Sequence, residues 1–343
     1  MDDRSTMAQV AAAAGVSLST VSRVLTGRGE IAAATRARVL DAARRLGYSR
    51  AEQARGRPRR GVARPFDLVL GQFHDPWSDE VTAGARVAAF ETGHDLVLTA
   101  ERDTPDDDWP MRIRDRGSSG VVLGLILPTA SQLSVLEGTG IPLVLLDPRA
   151  DESLPLASVR TSDREGGAEA GRHLVIQGAR RFIAVSGAPT YRFGRARVDG
   201  FAEAIRELLP DAHIDRVSAD WTAPGSRAAV ASPLTRAVST AQAAGEGPVG
   251  VFACSDEMAA GVYAAAADGG LRIPGDLMVV GFDDVRGARW LSPALTTVRQ
   301  PIREMAAEAV RLLAGLARGE SSALQRIVLP TELVVRASTG IGS

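Results

Sequence analysis

The stretch AAGVSLSTVSRVL at residues 13–25 decides the N-terminal fold of this chain. Gly15 interrupts a run of small apolar residues, and Ser17 follows at a position where it can cap a second helix. Upstream, Thr6 and Gln9 have the spacing of a capping box ahead of the first helix. The pattern predicts two short helices joined by a tight turn.

The second of these helices has one apolar and one polar face. Val21 and Val24 fall on the apolar face, whereas Ser19 and Arg23 fall on the polar face. A third helix is expected over about residues 35–46. A helix that exposes polar side chains after a tight turn is suited to reading base edges in the major groove of DNA.

The charge distribution supports a nucleic-acid partner. Residues 1–65 hold 13 arginines against five acids, a balance of +8, and the remaining chain carries −9, so the formal net charge is −1. Because residues 1–65 are basic and the rest of the chain is acidic, we expect only this N-terminal head to bind a polyanion. Hydrophobic residues make up 45% of the chain, which is typical of an ordinary globular protein.

Residues 6–30, TMAQVAAAAGVSLSTVSRVLTGRGE, resemble the DNA-binding head of the lactose/galactose repressor family, and RLGYS at 45–49 stands at the matching distance. The resemblance implies that Leu18, Ser19 and Arg23 read bases. It also implies phosphate contacts by Thr6, Ser17, Ser22, Thr26 and Tyr48. The alternative is that Arg23 and the serines only solvate a helix face.

The linker at 50–64 departs from the family pattern. Family members have a hinge helix whose leucine enters the minor groove, but here Arg57 stands where leucine is expected, although Ala54 is retained. Arg55 and Arg57 are expected to contact phosphates or a narrow minor groove. A solvated tether is the alternative interpretation.

Beyond the linker, continuous apolar runs alternate with amphipathic segments, which predicts parallel sheets covered on both faces. The stretches at 254–276 and 281–284 also resemble the family's effector domain, which implies an α/β two-lobed, periplasmic-binding-protein-like fold. The predicted organisation is an all-α helix-turn-helix domain (1–49), a linker (50–64) and an effector domain (65–340). We expect the first lobe at 65–161 and 298–321, and the second at 162–297 and 322–340.

The effector site is expected at the carboxyl ends of the strands, where ligands of open parallel sheets bind. Asp147, Ser255 and Asp283 follow strand-like runs. The resemblance adds Arg197 as a clamp for ligand hydroxyls and Trp221 as a stacking residue. Further stacking candidates after the first strand are Phe73 and Trp77.

These residues also have structural interpretations. Arg197 and Asp283 could form an ion pair between the lobes, and Trp77 could belong to the core of its helix. Asp163 and Asp256 also follow strand-like segments, and we interpret each as a helix cap.

The sequence therefore predicts a sequence-specific DNA-binding repressor that a small sugar or oligosaccharide releases from a palindromic operator. One alternative is a corepressor-dependent regulator that binds a non-sugar metabolite. A sugar-binding protein or a glycosidase without DNA function is a further alternative. Adjacent carboxylates such as Asp283 and Asp284 point to opposite faces of a strand and cannot flank one glycosidic bond, so we expect no enzyme.

The partners expected are double-stranded DNA, a small-molecule effector and a second copy of the chain, since one short helix reads too few base pairs. The four histidines lack metal-ligand spacing, so neither a metal nor a cofactor is expected. No apolar run approaches the roughly 20 residues that span a bilayer, and we expect a cytoplasmic protein.

Overall fold

The computed structural model describes residues 6–26, 31–46, 48, 65–102, 108–149 and 155–340. The side chain of Thr26 and the linker arginines Arg55 and Arg57 lie outside the described residues.

The head consists of the helices α1 (Met7–Ala14), α2 (Leu18–Thr26) and α3 (Ala33–Arg45). The Thr6–Gln9 capping box is present at the start of α1. Gly15 ends α1 with a φ of 63°, a left-handed conformation that glycine adopts without a Cβ penalty. Helix α3 begins two residues before the predicted start. The three helices pack around a small apolar core that includes Val10, Val21 and Val39.

The rest of the described chain forms two α/β lobes, each built on a six-stranded sheet. The strands of the first sheet are β1 (Phe66–Leu70), β2 (Leu96–Ala100), β3 (Gly120–Gly124), β4 (Leu143–Leu146), β5 (Ala157–Thr161) and β11 (Arg326–Leu329). Their order is β11-β5-β4-β3-β1-β2, and all pairs are parallel. Strands β1 and β3 are buried along their whole length, as expected for strands covered on both faces.

The strands of the second sheet are β6 (Arg181–Ser186), β7 (His213–Ser218), β8 (Val249–Ala253), β9 (Leu277–Asp283), β10 (Thr296–Arg299) and β12 (Glu332–Val334). Their order is β12-β10-β9-β8-β6-β7, with only β12 antiparallel to its neighbour. The predicted two-lobed parallel architecture is confirmed.

Helices cover both faces of each sheet. Those of the first lobe are α4 (Pro76–Glu91) and α11 (Ile302–Arg318) on one face, and α5 (Trp109–Arg116) and α6 (Ala130–Thr139) on the other. Those of the second lobe are α7 (Asp163–Ile176), α8 (Arg192–Leu208), α9 (Ala223–Ala243) and α10 (Asp256–Asp268).

The topology corrects two predicted lobe boundaries. We expected 322–340 to lie wholly in the second lobe, but β11 pairs with β5 in the first sheet, so the chain crosses at residues 330–331. We also expected the first lobe to resume at Val298, but β10 runs to Arg299 in the second sheet, and α11 begins at Ile302. Strand β11 lies at a sheet edge with alternating exposure, so its composition does not indicate which sheet it joins.

Two glycines bring α7 and α8 unusually close together. A Cβ on Gly167 would lie 2.0 Å from the carbonyl oxygen of Arg197, and one on Gly200 would lie 1.9 Å from that of Arg164. The close approach places the start of α7, which carries Asp163, beside Arg197 on α8.

Among the described residues, no single helix is long and apolar enough to cross a membrane. Helix α1 and the first eight residues of α2 have the required length and apolar composition only when taken together, and they meet at 103°.

Candidate functional site: the DNA-reading helix and an interlobe cavity

Helix α2 buries two valines and exposes the three predicted base-reading residues. Val21 and Val24 are buried against α1 and α3, whereas Leu18 is 53% exposed, and Ser19 and Arg23 are exposed as well. The three predicted base-reading side chains therefore lie on the solvent side of one helix.

Four of the predicted phosphate-contacting residues have described side chains, and all four are exposed or half-buried. Thr6 and Ser17 are exposed helix caps, whose hydroxyls accept the backbone N–H of Gln9 (3.3 Å) and Thr20 (3.2 Å). Ser22 and Tyr48 are half-buried.

In the effector domain, a cavity of about 830 Å³ lies between the carboxyl ends of the two sheets. Six of the predicted effector residues line it: Trp77, Asp147, Arg197, Trp221, Ser255 and Asp283. Phe73 instead packs half-buried against the core of the first lobe. Trp77 both packs on that core and lines the cavity, so its two interpretations are not exclusive.

Arg197 is the centre of the second lobe's part of the site and is only 2% exposed. Its Nε donates to Asp163 Oδ1 (2.9 Å), and its Nη1 donates to the carbonyl oxygen of Cys254 (2.8 Å). The same Nη1 lies 3.6 Å from Asp283 Oδ1. Since Arg197 is on α8 and Asp283 ends β9, this ion pair lies within the second lobe and does not join the lobes.

Asp163 and Asp256 were interpreted from sequence as helix caps, and this is wrong for both. Asp163 is the shared partner of Arg197 and Arg192, with Arg192 Nη2 3.0 Å from Asp163 Oδ2. Asp256 accepts the backbone N–H of Val285 (2.9 Å) and the hydroxyl of Thr297. The cap of α10 is Ser255, whose hydroxyl accepts the N–H of Met258 (3.1 Å).

Arg192 was missed by the sequence reasoning. It opens α8, is 8% exposed, and donates through Nη2 to Asp147 Oδ1 (2.9 Å) as well as to Asp163. Its signal in the sequence is an arginine five residues before Arg197 at the start of the same helix, but the two positions are about 140° apart around the helix axis, so helix geometry alone does not bring their side chains together.

The buried carboxyls of the cavity have shifted acidities. Burial raises the pKa of Asp283 to about 7, although Arg197 and Gln300 oppose the increase. Burial, followed by the charge of Asp163, raises the pKa of Asp147 to about 6 against the effect of Arg192. Perturbed carboxyls that converge in a cleft are a mark of a functional site.

Backbone strain occurs at the same place. Among the described non-glycine residues with positive φ are Leu125 (54°), Asp147 (47°) and Asp283 (112°), and each follows or ends a strand at the cavity. Such conformations cost about 1–3 kcal/mol each and cluster at ligand-binding sites.

Aromatic rings of the second lobe form one wall. Trp221 lies 5.1 Å from Phe193 and 5.6 Å from Tyr191 between ring centroids. The indole nitrogen of Trp221 and Oε1 of Gln300 are buried without a hydrogen-bond partner, and both residues line the cavity. Two residues of the lining therefore carry one unpaired donor and one unpaired acceptor.

A helix-turn-helix head followed by two α/β lobes around a polar cavity defines a class of DNA-binding regulator with an attached small-molecule-binding fold. Residues 6–51 match the sequence family of bacterial regulatory proteins of the lacI family. Residues 172–339 match the family of periplasmic binding protein-like domains.

Similar proteins span nearly the whole chain. The uncharacterized HTH-type transcriptional regulator in the aml 5′ region of Streptomyces limosus is 33% identical, over 97% of this chain and 94% of its own. The ribose operon repressor of Halalkalibacterium halodurans is 31% identical, over 97% of both chains. The solved transcriptional regulator CelR–cellobiose complex has 28% identity and a TM-score of 0.68, and the match covers 98% of this chain and 100% of that one. The chain belongs to the lacI family of bacterial regulatory proteins and is a DNA-binding transcriptional regulator.

Proposed function

We propose that this chain is a repressor that binds a palindromic operator as a homodimer and is released by a neutral sugar or oligosaccharide. The observation that carries the DNA-reading part is the division of α2, which buries Val21 and Val24 and exposes Leu18, Ser19 and Arg23.

In this proposal Arg23 binds guanine N7 and O6 through its fork, and Leu18 contacts a base by apolar packing, such as a thymine methyl. Thr6, Ser17, Ser22, Thr26 and Tyr48 hold the phosphates and fix the orientation of α2. Arg55 and Arg57 are proposed to contact the DNA backbone or minor groove.

The test is DNA binding by Arg23→Ala against sites selected from a random DNA pool by the wild-type protein. Loss of the bidentate contact is expected to cost roughly 1–3 kcal/mol of sequence discrimination while salt-dependent non-specific affinity remains. Arg38→Ala is the matched control, because it removes the same charge from an exposed position on α3. Full sequence preference in Arg23→Ala would refute the assignment of the reading helix.

The cavity supports a neutral polyol as the effector. Its lining has five carboxylates (Asp75, Glu101, Asp147, Glu257 and Asp283). The lining has only three guanidinium groups (Arg102, Arg149 and Arg197). An excess of acid disfavours an anionic ligand, whereas carboxylates opposite an arginine fork bracket neighbouring hydroxyls. Its volume of about 830 Å³ lies within the range of small-molecule sites.

Thermal-shift measurements on the full chain with a panel of neutral mono- and oligosaccharides and purines test the effector class. Stabilisation by at least one sugar, reduced in Trp221→Ala, is expected, because a ligand that binds only the folded state raises its stability. No response to any sugar, together with stabilisation by a purine, would replace the sugar with a metabolite corepressor.

Effector binding is proposed to change the relative orientation of the two lobes and thereby the spacing of the two DNA-binding heads in the dimer. Half-sites about one helical turn apart are expected for such a dimer. Light scattering of the purified chain tests the dimer, and a monomer at micromolar concentration would contradict it. We place its action in the cytoplasm, where its DNA partner is found, and assign it no catalytic step.

A further inference from the structure

Arg192 joins the two lobes beside the cavity, between the lining residues Tyr191 and Phe193. Its guanidinium belongs to the first turn of α8 in the second lobe, and its Nη2 is 2.9 Å from Oδ1 of Asp147, which follows β4 of the first lobe. Its Nε also donates to the carbonyl oxygen of Pro148 (3.3 Å), so one side chain binds two consecutive residues of the first lobe.

The second lobe anchors the same guanidinium. Nη2 of Arg192 is also 3.0 Å from Oδ2 of Asp163, whose other oxygen accepts Nε of Arg197. The side chain of Arg192 therefore cannot follow Asp147 without leaving Asp163, and both carboxylates are almost fully buried.

Further contacts join the two lobes next to Arg192. The backbone N–H of Arg192 donates to the carbonyl oxygen of Arg149 (2.8 Å), and the Arg149 guanidinium lies 4.3 Å from the ring centroid of Tyr191. Residues 147–149 of the first lobe thus meet residues 191–192 of the second through ionic, backbone and cation–π contacts.

We propose that Arg192 is a built-in cross-cleft bridge that holds the two lobes together in the ligand-free protein. The effector then acts on a cavity whose lobes are already connected at this end, and Arg192 sets the balance between closed and separated lobes. This inference concerns the ligand-free protein and holds whatever the effector is.

The test is the distance between the lobes in the ligand-free, full-length protein, measured by single-molecule fluorescence transfer. Dyes are attached to cysteines placed at the exposed positions Glu137 in the first lobe and Asp211 in the second, while the native Cys254 is buried. We expect the wild type to occupy mainly the short-distance state, and Arg192→Met to shift the ratio of separated to closed molecules at least tenfold. Arg206→Met, exposed on the last turn of the same helix, is expected to leave the ratio unchanged.

Asp147→Asn is the second variant, because asparagine tolerates the left-handed backbone at this position and removes only the charge. It is expected to shift the ratio in the same direction as Arg192→Met, and the double variant should shift it no further than Arg192→Met alone. A wild-type distance distribution in a folded Arg192→Met protein would overturn the proposal, even if its thermal stability fell. If Arg192→Met does not fold, a wild-type distribution in Asp147→Asn would overturn it equally.

Discussion

Replacement of Arg197 by methionine should destabilise the protein strongly at alkaline pH and much less at acid pH. The side chain is 2% exposed and binds Asp163, Asp283 and the carbonyl oxygen of Cys254. Removing one partner of a buried ionic cluster leaves uncompensated charge and costs about 3–5 kcal/mol. For a domain of the size of the effector lobes this corresponds to a decrease in Tm of roughly 10 °C.

The pH dependence follows from the carboxyls that Arg197 faces. The pKa of Asp283 is raised to about 7 and that of Asp147 to about 6, both above the value of about 4 expected in the unfolded chain. A carboxyl with a raised folded pKa binds protons more tightly in the folded state, so its stabilising contribution is present at low pH and is lost as the pH rises to about 7. Arg197 lowers both pKa values, and its removal raises them further.

Arg197→Met should therefore lose more stability at pH 8 than at pH 5, where Asp283 is mostly protonated in either protein. Urea unfolding of the full chain at both pH values measures the difference. Arg227→Met, which breaks an exposed pair with Asp268, is the control and should change little at either pH. A loss in Arg197→Met that is equal at pH 5 and pH 8 would refute the role assigned to the buried carboxyls.

Three further substitutions test the packing. Gly187→Ala should lower the free energy of unfolding by about 1–3 kcal/mol and change the near-ultraviolet dichroism of Trp221, because the new Cβ would lie 2.1 Å from the indole nitrogen. Gly287→Ala is the control and should be neutral, because the space around Gly287 is open. Gly15→Ala should weaken operator binding and lower head-domain stability by about 1–2 kcal/mol, because φ is 63° there; an unchanged melting curve would contradict this. Phe201→Ala, fully buried in the second lobe, should cost about 3–5 kcal/mol in urea unfolding, and a loss below 1 kcal/mol would show that the core refills the cavity.

The features that could be predicted from sequence are those set by neighbours along the chain. The Thr6–Gln9 capping box and the left-handed Gly15 depend on contacts within a few residues, and the structure contains both. Continuous apolar strands predicted parallel sheets, because only strands covered on both faces can be apolar throughout. Edge strand β11 was assigned to the wrong lobe because its alternating exposure does not identify the sheet that it joins.

The polar network of the cavity could not be predicted in the same way, since its contacts join residues far apart in sequence. Asp163 looks like a helix cap from its position, yet its partners Arg192 and Arg197 lie 29 and 34 residues further along the chain. Asp147 follows a strand, as a ligand-binding acid should, but its oxygen is held by Arg192, 45 residues away.

The charged groups of this network determine which ligand charge the cavity can accept. Three buried carboxylates (Asp147, Asp163 and Asp283) face two guanidinium groups (Arg192 and Arg197), so full ionisation leaves one negative charge in excess. Burial raises the pKa of Asp283, the charges of Asp147 and Asp163 add to the increase, and protonation of this one carboxyl balances the cluster. A neutral hydroxyl ligand can enter without disturbing this balance, whereas a carboxylate ligand would add an unpaired negative charge.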